Sequence, residues 1–301
     1  MIMNIVNVVG NFLLINPTRE LTVWGFTFTM PGAGWGVDGA AVATAIGMTV
    51  AGCIALRNAF KKKNEYRISF KEKRSLLPDR DLTKQIFKIS LPAMLERICM
   101  SSSGIFVTSS IATLGTANIA ANSLCLSAES LSFMPAFAFQ MAITTLVGQS
   151  LGAEKPKLAE KFVKTTMIMG VVVMLITGGA LYIFSEQLIG IFTPDKEVIK
   201  IAAECLELMA LIQAPQVAAW IFSGVLRGSG DTTVNFYISA STNWGVRTLF
   251  SIIAIRFMGL PLLASFAVMA IEICVRLALL YIRYRSGKWK TIMKKIEKKS
   301  A

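Results

Sequence analysis

Residues 114–153, LGTANIAANSLCLSAESLSFMPAFAFQMAITTLVGQSLGA, decide how the chain is read. From Ala117 to Ala153 there is one charged side chain, Glu129; Pro135 sits near the middle and Gly148 and Gly152 close the run. A charged side chain at the centre of a membrane helix costs about 2.5–3.5 kcal/mol on insertion scales for Asp, Lys or Arg. The cost is avoided where the helix packs inside a bundle or lines a wet cavity. The stretch therefore predicts a helix with protein or water along one side, and the rest of the chain is expected to supply the wall.

Composition agrees. The 301 residues are 54% hydrophobic and only 16% charged, with a mean hydropathy of +0.58. Soluble domains carry about 25% charged residues, so these values put the chain among multi-span membrane proteins. The net charge of +13 invites a nucleic-acid reading. The basic residues are confined to a few segments between long apolar runs, however, which fits the positive-inside rule and not a nucleic-acid groove. There is no histidine. That removes zinc proteases built on HExxH, Ser–His hydrolases and acyltransferases with a histidine base, and leaves proton chemistry to carboxylates. An enzyme is not expected. The five cysteines are scattered through apolar segments without a CxxC, and read as reduced, buried, small side chains.

Outward from the opening stretch, the chain divides by polarity. Residues 1–16 are apolar with asparagines at 4, 7 and 11, too short for the roughly 20 residues of a full span. No positive region or small-residue cleavage site marks them as a signal peptide, and a shortened span is the reading preferred. Residues 17–38 read as a loop rich in Gly, Pro and Trp. The formal GxGxxG at Gly34–Gly39 lacks the strand and βαβ unit of a dinucleotide site, so its glycines are taken to shape the loop. Residues 39–56 form an uncharged span of small residues suited to tight packing. Residues 57–85 hold ten Lys and Arg and Pro78, and read as a cytoplasmic linker, either a solvated connection or a helix on anionic lipid.

Six further spans follow: 86–112, the opening stretch, 165–184, 198–226, 232–255 and 257–282. A short basic loop precedes the third of these, a charged loop covers 185–197, and a basic tail ends the chain. With the linker placed inside, 23 Lys and Arg fall on the inner side, four on the outer side and four within spans, together the full 31. The asymmetry favours eight spans with both termini cytoplasmic. The fold expected is an all-α polytopic membrane helix bundle.

The opening stretch resembles the seventh-to-eighth helix region of MATE (multidrug and toxic compound extrusion) transporters. Val225–Thr232, VLRGSGDT, resembles the family's loop after its tenth helix; Asn243–Arg247, NWGVR, its eleventh helix; Tyr284–Trp289, YRSGKW, the end of its twelfth; and MPGAGWGVDGAAVATAI the start of its sixth. Each motif alone is weak, and the ordered set is specific. The resemblance implies two six-helix lobes around a substrate cavity, with this chain holding helices five to twelve: residues 1–56 from the amino-terminal lobe, linker 57–85, the six-helix carboxy-terminal lobe 86–284 and tail 285–301. The first four helices would be supplied elsewhere, so a longer natural product is expected. A truncated, non-transporting fragment and a lipid-linked sugar flippase of the related superfamily are the alternatives.

The resemblance also implies export of organic, cationic drugs across the cell membrane by antiport with Na⁺ or H⁺, with membrane lipid around the bundle, no other cofactor and no metal site. Glu96, four residues after Pro92 in a serine-rich span, matches the acidic residue that some members carry in the seventh helix. The tenth-helix aspartate paired with it in those members falls at Gln216 here, which accepts hydrogen bonds but takes up no proton. Glu129 is either a second coupling carboxylate or a hydrogen-bonded bridge between helices. Gln213 completes the candidate cation and substrate set. Arg227, Gly228, Gly230 and Asp231 form a tight turn, with Asp231 or Thr232 capping the next helix, or else close an inner gate. Glu272 and Arg276, four residues apart, are positioned to pair on one helix face, while the adjacent Glu96 and Arg97 point about 100° apart.

Overall fold

The computed structural model describes residues 2–23, 26–60 and 80–292. The chain splits into two compact units, Met1–Pro78 and Asp79–Ala301. The division falls inside the basic segment 57–85, most of which lies outside the described residues, as does the surface helix considered for it.

In the first unit, α1 (Ile2–Leu14) packs against α2 (Gly36–Ala59). The small residues set the spacing: a Cβ at Gly39 would lie 2.5 Å from the Leu14 carbonyl oxygen. The Asn7 amide donates across the pair to the Thr44 hydroxyl at 3.0 Å. Between the helices the expected loop is instead an antiparallel hairpin, β1 (Pro17–Val23) and β2 (Phe26–Ala33), with Arg19 opposite Met30 and Val23 opposite Phe26. The alternation of Thr with Leu, Val, Phe and Met accounts for it, since β-branched and aromatic residues suit a pleated ribbon.

The second unit is a bundle. Its helices are α3 (Arg80–Ile111), α4 (Thr116–Gly152), α5 (Pro156–Ile183), the short α6 (Ser185–Gly190), α7 (Lys196–Leu211), α8 (Gln213–Gly228), α9 (Thr232–Thr242), the four-residue α10 (Leu249–Ile252) and α11 (Leu262–Arg285). Helix α9 reaches α10 through the π-helical turn Asn243–Thr248, and a second such turn covers Ile253–Phe257. The helical segments coincide with the expected spans, but several boundaries move. The basic loop before α5 is its first turns, begun by Pro156 at a position where a missing N–H costs nothing. Part of the charged loop at 185–197 is α6.

The expected sixth span is broken: α7 and α8 meet at Ile212 with a 56° bend. Pro215 explains it. Proline has no N–H to give to the Leu211 carbonyl, and its ring crowds that turn. Four described helices, α2, α4, α5 and α11, are long and apolar enough to cross a membrane, or five if α7–α8 counts as one broken span. The apolar count is thus lower than the eight spans expected. Helix α3 carries Glu96, Arg97 and six serines, α9 is only 11 residues long, and α1 is a shorter apolar helix. The outer face of α5 exposes Ile168, Val172, Leu175, Ile176 and Ile183, as a face turned to lipid would.

Two apolar cores hold the bundle. One gathers Ile111, Cys125, Leu181, Leu206, Met209, Phe266 and Ile273; the other Ile143, Met174, Val217, Ile221, Val225, Leu280 and Trp289. On every long helix that joins both, the change of core falls at the same level. It lies between Ala128 and Ala136 on α4, Met174 and Leu181 on α5, Ala210 and Val217 on α7–α8, and Ile273 and Leu280 on α11. The residues in that gap include Glu129, Ser132, Thr177, Gln213, Gln216 and Arg276. The lobe therefore has a polar waist between two dry ends.

Helix α8 meets α4 through glycines. A Cβ at Gly228 would stand 2.3 Å from the Thr144 carbonyl oxygen, and one at Gly224 2.8 Å from that of Gln140. The Thr144 hydroxyl donates to the Gly224 carbonyl at 3.1 Å. Gly148 faces the Gly228 carbonyl at 3.3 Å, whereas Gly152 faces open space, so close packing involves the first glycine of that GxxxG and not the second.

Candidate functional site

Glu96 is buried on α3, four residues after Pro92. Its carboxylate is fully engaged. The Asn235 amide donates to Oε1 at 3.1 Å and to Oε2 at 3.0 Å, the Ser239 hydroxyl donates to Oε1 at 3.0 Å, and Arg227 Nη2 lies 3.0 Å from Oε1. Four contacts match the roughly four lone-pair sites of a carboxylate. Arg227 comes from the last turn of α8 and Asn235 and Ser239 from one face of α9, so Glu96 pins three helices. The structure thus joins two residues that sequence reasoning assigned to separate groups, a ligand carboxylate and a turn arginine. Asn235 and Ser239 were not singled out from the sequence. Their i,i+4 spacing on one apolar helix was the available signal.

Beside this cluster lies a cavity of about 220 Å³. Glu96, Arg97, Gln140, Trp220, Ser223 and Arg276 line it, together with Phe137 and Arg227. Trp220 is steadied by Phe133 and Phe137, with ring centroids 5.5 and 6.2 Å away. On α11 Glu272 and Arg276 pair at 3.4 Å, as their i,i+4 spacing suggests.

Glu129 is apart from that cavity, in the waist. It has no exposed surface, and neither carboxylate oxygen has a hydrogen-bond partner. The Gln216 side chain and the Arg247 guanidinium are within electrostatic reach, but the amide stands outside hydrogen-bond geometry. Of the two readings of Glu129, this geometry is not that of a hydrogen-bonded bridge. Gln213 is equally buried with both its amide nitrogen and oxygen unpartnered, and the Gln216 oxygen is unpartnered too. The cation and substrate set expected from sequence therefore falls into two places: Glu96 with Arg227 at the cavity, and Glu129, Gln213 and Gln216 in the waist. No group of three or more His, Cys, Asp or Glu residues among those described is arranged to hold a metal ion.

The turn after α8 differs from expectation in one respect. Gly230 adopts φ 80°, and the Asp231 N–H bonds back to the Leu226 carbonyl at 2.8 Å, closing the helix. Neither Asp231 nor any other side chain caps α9. The Asp231 carboxylate instead pairs with Arg283 of α11 at 2.8 Å, because a charged partner outcompetes a neutral N–H.

The fold is an all-α membrane helix bundle, and comparison with known proteins gives the family. The MatE family model matches residues 92–253, more than half of the chain. The chain belongs to this family of MATE transporters. It is 29% identical over 255 residues to a Thermotoga maritima protein named "Probable multidrug resistance protein NorM", covering 84% of this chain and 54% of that one. A protein of the same name from Mannheimia succiniciproducens is 30% identical, with 80% and 51% covered. The chain thus spans about half the length of the curated relatives it matches. Its fold superposes on a MOP superfamily transporter from Pyrococcus furiosus with a TM-score of 0.83 at 18% identity, covering 97% of this chain and 61% of that one.

Proposed function

We propose that this chain forms part of an exporter of organic compounds, driven by Na⁺ or H⁺ moving into the cell. The activity is that of the whole transporter, whose remaining helices are the partner this lobe requires. The chain sits in the cell membrane with both termini cytoplasmic, an orientation supported by the asymmetry of Lys and Arg. We divide it as 1–56, the linker 57–85, the lobe 86–284 and the tail 285–301.

The observation that carries the reading is Glu129. A buried carboxylate with no hydrogen bond is costly in its charged form. A proton or a Na⁺ ion relieves that cost, and loses its hold once the waist opens to the other side. Gln213 and Gln216 offer carbonyl oxygens to such an ion, or hydrogen bonds to the protonated acid. Gln216 itself carries no proton, so Glu129 is the titrating partner in this pair. Glu96 meets a cation or a drug only when Arg227 leaves it, which makes Arg227 a tethered competitor for that carboxylate. The turn at Arg227, Gly228, Gly230 and Asp231 closes one end of the lobe through the Thr144 contact and the Arg283 pair. Occupancy by ion and by substrate are then linked through the two lobe conformations that each prefers.

The test is efflux from cells lacking their own pumps, loaded with a panel of cationic and anionic dyes and given an imposed Na⁺ or pH gradient. Efflux that follows one gradient, and loses that dependence in Glu129→Gln, is the expected result. Efflux indifferent to both gradients, or unaltered by the substitution, rules the reading out.

A further inference from the structure

The cavity beside Glu96 bears a charge opposite to that suited to an organic cation. Three guanidiniums line it, Arg97, Arg227 and Arg276, against one lining carboxylate. That carboxylate is engaged, since all four contacts to Glu96 come from protein donors. Arg276 has Glu272 on its own helix at 3.4 Å, with its Nε outside hydrogen-bond geometry. The Nε of Arg227 is buried without a partner. Arg97 makes no ion pair among the described residues. Even with Glu272 counted, three guanidiniums face two carboxylates. The neutral lining side chains Gln140 and Ser223 add an amide and a hydroxyl, neither of which supplies a charge.

An uncompensated positive charge beside apolar walls draws in anions. Guanidinium groups bind carboxylates and sulfonates as two-point donors. The same cavity contains Trp220, fixed against Phe133 and Phe137, a surface on which a planar ring stacks. At about 220 Å³ it lies below the range of about 300–1,000 Å³ usual for drug-sized ligands, so it holds a head group and a ring and not a whole compound. We propose that the cavity binds the carboxylate or sulfonate head of an aromatic organic anion, with the head on Arg97 and Arg276 and the ring against Trp220. This names the substrate class of the exporter proposed above and rests on that reading.

Equilibrium binding separates the two claims, because it needs no gradient and no transport. The full chain in phosphatidylcholine nanodiscs is titrated calorimetrically with naphthalenesulfonate and with naphthyltrimethylammonium, the signal of empty nanodiscs being subtracted. The sulfonate is expected to bind at least about tenfold more tightly, and Arg97→Gln to weaken it about tenfold, the scale of one charge-assisted hydrogen bond. Arg97 is exposed and unpaired, so its replacement leaves the bundle's packing intact. Equal or tighter binding of the cation, no binding of the sulfonate, or sulfonate binding unaffected by Arg97→Gln overturns the proposal. Phosphatidylglycerol added to the nanodiscs separates solute from lipid. Unchanged sulfonate affinity is expected; its loss would assign the cavity to lipid head groups and overturn the solute reading.

Discussion

Removing the charge of Glu96 should cost more than removing that of Arg227, although the two form one pair. Glu96→Gln keeps one oxygen acceptor and replaces the other with a donor. It thereby loses the ionic contact to Arg227 at 3.0 Å and sets an amide against one of the two Asn235 contacts. Hydrogen bonds to charged groups contribute about 1.5–3 kcal/mol each, and a carboxamide recovers part of that. The expected loss is about 2–4 kcal/mol. Arg227→Gln leaves Glu96 with both Asn235 contacts and the Ser239 hydroxyl, and the arginine side chain is 32% exposed. A charge that is partly hydrated already is cheaper to lose, so the expected cost is about 1–2 kcal/mol. The double variant should fall short of the sum by about 1–2 kcal/mol. The assay is unfolding of the purified protein in mixed micelles against rising dodecyl sulfate, followed by tryptophan fluorescence. Additive costs, with coupling below about 0.5 kcal/mol, would mean that the pair is not formed in the folded lobe, and would undo the account of Arg227 as a tethered competitor.

Two stability predictions follow from packing. Gly228→Ala drives a methyl group to 2.3 Å from a main-chain oxygen that has no side-chain freedom to yield, and should destabilise by more than the usual overpacking cost of about 1–3 kcal/mol. Gly104→Ala, inside α3 with nothing within 4 Å, is the control, with an expected gain of about 0.5–1 kcal/mol from helix propensity; midpoints in the same micelle titration compare them. Trp289→Ala removes a side chain with no exposed surface, stacked on Tyr284 and donating to its carbonyl oxygen at 3.0 Å. It should cost about 3–5 kcal/mol and loosen the segment after α11, read as faster proteolysis near residue 286; an unaltered cleavage rate would contradict that anchoring.

Much of the fold was legible because apolar length and charge segregation are properties of contiguous sequence. The stretch around Glu129 reads as a packed membrane helix from its own composition, and α4 spans it as one element. The hairpin at 17–33 was missed because Gly, Pro and Trp at its ends masked the Thr–apolar alternation within it. The bend at Ile212 is not legible in the run 198–226, since a proline such as Pro215 in an apolar run marks a kink as readily as a break. The site was legible one residue at a time. Glu96 and Arg227 were both picked out, but 131 residues separate them in sequence, and no local pattern says that an arginine in one turn will reach a carboxylate on another helix. The lack of partners around Glu129 and Gln213 is likewise invisible in sequence, because it depends on what the neighbouring helices fail to provide.

The change of core at a single level gives the lobe a seam. Each apolar end is packed like an organic solid and resists deformation, while the layer between them contains buried polar atoms of Glu129, Gln213 and Gln216 that have no partner. The break at Ile212 lies at that level, so the two halves of the broken helix belong to different ends. Rocking one end against the other would bend α4, α5 and α11, which run through that level as single helices, while the broken α7–α8 pair already carries its bend there. The stiffness of such a joint depends on what its polar groups hold. The unpartnered oxygens of Glu129 and Gln213 lie in that layer, so the contacts that would stiffen the joint are ones the described lobe does not itself supply.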